Sequence, residues 1–131
     1  MSVTARAIAA IIALAAVTGP AHAQLAPQWQ TCTGNPEVEW DLQIKSCSEL
    51  IQSGTEAKEN VAVAYFTRAL AYENKEDYAR AIADYSEALR LDPNDADSLF
   101  YRGLDKGRLG DKAGGEADIA AAKRINPNVG Q

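Results

Sequence analysis

Apolar residues in the second half of the chain recur at helical intervals. Tyr78, Ala81, Ile82, Tyr85, Ala88 and Leu89 stand three, four or seven residues apart, which places them on one face of an α-helix. Two of the six are alanine, so the stripe is thin for a buried face. Upstream, Trp40, Ile44, Cys47 and Ile51 make a second face, with Pro36 near its start and Gly54 at its stop; this predicts another helix. Asp92-Pro93-Asn94-Asp95 ends one helix and supplies Asn94 or Asp95 to cap the next. Gly110-Asp111 offers a left-handed stop followed by a fresh cap. The matching upstream turn carries Glu76 in place of Gly110, so that turn is expected to be strained or reshaped.

Displaced by 34 residues, the sequence matches itself. Between 62–94 and 96–128, twelve of 33 positions are identical, among them Ala62/Ala96, Phe66/Phe100, Arg68/Arg102, Leu70/Leu104, Asp77/Asp111, Asp84/Asp118, Ala88/Ala122 and Pro93/Pro127. A 34-residue period of paired helices is the pattern of tetratricopeptide arrays. The first copy, "AVAYFTRALAYENKEDYARAIADYSEALRLDP", resembles that family through Tyr65, Ala69, Tyr72, Tyr78, Ala81, Tyr85, Ala88 and Pro93. The second, "ADSLFYRGLDKGRLGDKAGGEADIAAAKRINP", keeps Leu99, Gly103, Gly110, Ile119, Ala122 and Pro127. The resemblance implies an all-α solenoid of helical hairpins in which the second helix of a repeat is wedged between two first helices. The alanines then act as spacers that let helix axes approach closely. Expected boundaries are 37–55 for an N-terminal capping helix, the second half of a degenerate repeat, then 56–93 and 94–127 for two repeats and 128–131 for a tail. Ile82 and Leu89 become Glu116 and Lys123 in the second copy, the polar outer face expected where stacking ends.

The N-terminus changes the accounting of charge and chemistry. Arg6 precedes an apolar run from Ala7 to Val17, then Gly19-Pro20 and Ala21-His22-Ala23. This describes a secretory signal peptide over 1–23, cleaved before Gln24; the apolar run is shorter than the roughly 20 residues of a membrane span. The expectation is an exported, periplasmic or secreted protein with no stable membrane anchor after cleavage. The only histidine, His22, leaves with that segment, and loss of Arg6 takes the net charge from −5 to −6. An acidic chain lacks the basic surface that nucleic-acid binding requires. Cys32 and Cys47, the only cysteines, read as one structural disulfide in an oxidising compartment. It would pin an extended segment, 24–36, onto the helix that follows.

Without histidine or a free thiol, the common nucleophile–base arrangements are missing. No phosphate loop, metal-ligand pattern or cofactor motif appears, so neither catalysis nor a cofactor is expected. Arg68/Asp84 and Arg102/Asp118 are each 16 residues apart and are expected to pair across each hairpin, fixing its register. The family resemblance implies a concave groove that binds a protein or peptide. Its candidate residues here are Phe66, Leu70 and Glu73 from the first copy, and Phe100, Tyr101, Leu104 and Arg108 from the second. Val63, Thr67, Asn74 and Asp97 stand beside them. Members that grip a C-terminal carboxylate carry lysine and asparagine where this chain has Phe66, Leu70 and Phe100, which argues against that ligand. Asp105 replaces Ala71 of the first copy and is expected at a surface or ion-paired position. The favoured reading is a non-catalytic interaction module of the bacterial envelope; the alternative is a self-associating module that stacks through its open repeat ends.

Overall fold

The computed structural model describes residues 27–34 and 37–131, and the segment 1–23, expected to be a signal peptide, lies outside them. Six helices follow one another: α1 (Pro27–Thr33), α2 (Trp40–Ser53), α3 (Lys58–Asn74), α4 (Tyr78–Leu91), α5 (Ala96–Arg108) and α6 (Lys112–Ile125). Each packs on its neighbours in chain order, and α1 also reaches α3. The fold is an all-α, tetratricopeptide-like helical repeat, with α3–α4 and α5–α6 as its two complete hairpins.

Caps explain where the helices begin and end. Asp77, Asp95 and Asp111 precede α4, α5 and α6, and their carboxylates accept the backbone N–H of Arg80, Asp97 and Gly114, satisfying donors that an N-terminus leaves free. Gly54 closes α2 at φ 67° and Gly110 follows α5 at φ 94°, while Glu76 holds the corresponding left-handed turn at φ 59°. A glutamate there bears the strain that glycine avoids.

The thin stripe lies in the hairpin seams. Ala69, Ala81 and Ala88 are fully or almost fully buried, with Tyr85 filling the space beside them. In the second hairpin Gly103 and Gly115 occupy the places of Ala69 and Ala81, and the approach is closer still. A Cβ on Gly103 would lie 2.7 Å from the Gly115 carbonyl oxygen, and one on Gly115 would lie 2.6 Å from that of Gly103. Helix propensity alone favours Gly103→Ala by about 1 kcal/mol. The opposing atom is backbone, so relief requires α5 and α6 to separate, and overpacking at about 1–3 kcal/mol wins. A urea titration of Gly103→Ala is therefore expected to show a lower midpoint, and a raised one would mean that this seam is not closed.

The N-terminal segment differs from its expectation. Pro27–Thr33 is helical rather than extended. Proline suits the first helical position, and a helical turn puts Trp29 and Cys32 on one face. Both are buried against Cys47, Leu50 and Ala64. The Thr31 and Thr33 hydroxyls donate to the carbonyls of Pro27 and Trp29. Cys32 Sγ and Cys47 Sγ stand 2.06 Å apart, at disulfide distance.

Candidate functional site

Two partly buried arginine clusters fix the scaffold. Arg68 on α3 donates from Nε and Nη2 to both carboxylate oxygens of Asp84 on α4, at 2.7 and 2.8 Å. Arg102 on α5 grips Asp118 on α6 in the same fork at the same distances. Each arginine has a second partner on the preceding helix: Arg68 Nη1 donates to Ser48 Oγ of α2, and Arg102 Nη1 to Ser86 Oγ of α4. The serine hydroxyls donate in turn to the carbonyls of Ile44 and Ile82. Thus α2 stands to α3 as α4 stands to α5. In that register Cys47 takes the place of Tyr85, both fully buried, and α1 with its sulfur contact substitutes for a missing first helix. The hydrogen bond to Asp84 raises the Arg68 pKa against the opposing effect of burial. Burial would raise the Asp118 carboxyl, but Arg102 and Lys106 hold it below its ordinary value. These groups are structural clamps, each linking three helices.

The groove candidates separate into three places. Phe66, at the middle of α3, packs on Tyr85 and Tyr101, with ring centroids 5.8 and 6.1 Å away. Phe100 lies elsewhere. Tyr101 stands between it and Phe66, and the Phe100 ring packs with Leu89, Leu99, Ala122 and Val129 and against Gly130. The tail after α6 packs over it, so Phe100 is a partly buried ring set against the core and does not share the surroundings of Phe66. Leu70 packs on Ala69, Ala81 and Tyr85. Its counterpart Leu104 lines a shallow hollow formed by α5 and α6, together with Gly107 and Ile119; among the described residues nothing takes the place there that Tyr101 takes over the first hairpin.

Glu73 and Arg108 are engaged with each other. Arg108 Nη1 donates to Glu73 Oε1 at 2.6 Å and to Asp105 Oδ1 at 2.5 Å, and Tyr85 donates its hydroxyl to Glu73 Oε2 at 3.0 Å. Asp105 is ion-paired but not at the surface: it is 0% exposed, and its Oδ2 has no hydrogen-bond partner. Burial first, and then Glu73, raise its pKa to about 6 in spite of Arg108. Between its unfolded value and about 6, the folded chain holds the extra proton, so stability falls as pH rises through that window. Asp105→Ala restores the residue found at buried Ala71 and leaves Arg108 with Glu73. It is expected to stabilise the protein by about 1–3 kcal/mol at neutral pH, with the gain vanishing near pH 4. Thermal melts of both chains across pH measure it; a gain independent of pH would contradict the assignment.

A recess of about 680 Å³ lies between the first turns of α3 and the α4–α5 turn. Ala62, Val63, Phe66, Leu91 and Pro93 form its apolar lining. Its charged groups are Glu59, Asp92, Asp95 and Asp97 against a single Lys58. Val63 is 48% exposed there, an apolar side chain with nothing packed over much of it. Sequence reasoning named Val63, Phe66 and Asp97 but missed the wall supplied by the α4–α5 turn. It also missed Ser48 and Ser86, although the shared Ile-x-x-x-Ser spacing of 44–48 and 82–86 is a readable signal. Among the described residues, no cluster of His, Cys, Asp and Glu is arranged to hold a metal ion.

The chain has no match among curated proteins. The Tetratricopeptide repeat family, whose repeats are generally non-catalytic protein–protein interaction modules, has a family model that matches residues 62–95, the stretch that carries Phe66, the Arg68–Asp84 clamp and the α4–α5 turn.

Proposed function

We propose that this chain is an exported, non-catalytic adaptor or assembly factor that holds a peptide or helix of a partner protein in the recess between α3 and the α4–α5 turn. The observation that carries this reading is a concave recess with half-exposed Val63 and partly buried Phe66 at its floor, built on a scaffold in which Arg68 and Arg102 are already committed to internal clamps. A volume of about 680 Å³ falls in the usual range of binding cavities, and an apolar floor with polar edges suits an amphipathic segment. Export follows from the N-terminal pattern and predicts a mature chain that starts at Gln24. A photoreactive residue at position 63 is expected to crosslink one discrete envelope protein in living cells, whereas the same residue at exposed position 123 on α6 does not. Equal capture from both positions, or none from 63, defeats the groove reading.

Self-association has one observation in its favour, the uncovered hollow beside Leu104 and Ile119, where a helix of a second copy could lie. Sedimentation at several concentrations tests it: a monomer throughout excludes stacking through that end.

A further inference from the structure

The recess has a charge pattern that selects its occupant. Four carboxylates, Glu59, Asp92, Asp95 and Asp97, stand at its edge with one ammonium, Lys58. Among the described residues none of the four is in an ion pair, in contrast with Asp84, Asp118, Glu73 and Asp105, which all are. Asp92 and Asp95 accept hydrogen bonds from their own turn, from the Asn94 and Asp97 amides and the Ser98 hydroxyl. Such bonds orient the carboxylates without neutralising them. Glu59 and Asp97 are exposed. An apolar floor rimmed by uncompensated negative charge repels acidic segments and favours a cation beside an apolar side chain.

We infer that the segment held in this recess is basic and apolar, with a lysine or arginine next to a large aliphatic or aromatic residue. The apolar group sits on Val63, Phe66 and Pro93, and the cation lies against Asp97 and Glu59. This inference rests on the groove reading above and narrows its ligand to one chemical class. Because the carboxylates lie at a solvent-facing rim, binding weakens as salt screens them.

The test uses the purified chain and three labelled peptides of one length, in which leucine alternates with lysine, serine or glutamate. In fluorescence anisotropy the lysine peptide is expected to bind about tenfold or more tightly than the glutamate peptide, and to lose that advantage as sodium chloride is raised. Neutralising the rim with Glu59→Gln and Asp97→Asn should weaken the lysine peptide about three- to tenfold. Neutralising the exposed Glu49 and Glu116 with glutamine, an equal change in net charge, should leave it unchanged. Circular dichroism of the variants confirms that the helices persist. If the glutamate peptide binds as well as the lysine peptide, or if the Glu49/Glu116 pair has the same effect as the rim pair, the basic-ligand inference fails. If serine and lysine peptides bind equally and Val63→Asp abolishes both, the groove stands and only its charge selectivity is lost. No binding by any peptide, together with no crosslinking from position 63, removes both.

Discussion

Arg68→Ala is expected to lower the unfolding free energy by about 3–5 kcal/mol, a large part of the 5–15 kcal/mol typical of a domain. Asp84 is only 5% exposed, and Arg68 supplies its forked ion pair as well as the bond to Ser48. Truncation leaves a buried carboxylate without a counter-charge. The second hairpin gives an internal comparison. Asp118 keeps Lys106 Nζ at 2.8 Å when Arg102 is lost, so Arg102→Ala should cost less, about 1–3 kcal/mol. Replacing both members of the first pair, as in Arg68→Met with Asp84→Leu, recovers most of the loss, because removing a pair together strands no charge. Guanidinium unfolding of the three variants checks the order. A cost for Arg68→Ala below about 1 kcal/mol, as for an exposed pair, would mean that the clamp does not hold the hairpin.

The second large effect concerns the N-terminal helix. A seven-residue helix cannot persist alone in water, and α1 is held by its packing and by the contact between Cys32 and Cys47. With the two cysteines 15 residues apart, replacing both with alanine should cost about 3 kcal/mol in the chain-entropy account. The loss is expected to start locally. Trp29 is buried, and its indole N–H donates to Glu56 at 3.0 Å, so its fluorescence should shift to the red before α3–α6 melt. Helix content should fall only slightly. Unchanged tryptophan emission and an unchanged midpoint would show that α1 is not secured by the sulfur bridge.

The contrast between these two regions explains what could be read before the structure was known. The hairpins were legible because their small-residue stripe, their aspartate caps and their Pro93/Pro127 stops recur at one period, and each recurrence constrains the next. The forked pairs were legible because both members recur at the same separation. The α1 helix was not: seven residues are too few for a periodic signal, and its burial depends on a partner 15 residues away. The groove candidates separated for a different reason. Repeat symmetry makes Phe66 and Phe100 equivalent in sequence, but what covers each comes from the next unit. For Phe100 that is Val129 and Gly130, whereas Phe66 faces a turn that leaves space beside it. The full burial of Asp105 was not legible because Glu73 and Tyr85, which bear on it electrostatically, come from α3 and α4, whereas its ion-pair partner Arg108 stands only three residues on in α5.

The most direct measurement is a map of backbone amide shifts as the alternating lysine–leucine peptide is added to the isotopically labelled chain. The account predicts saturable shifts centred on Val63, Phe66, Asp95 and Asp97, with α6 unmoved. Shifts centred on α6, or spread evenly over the acidic surface without saturation, would contradict it.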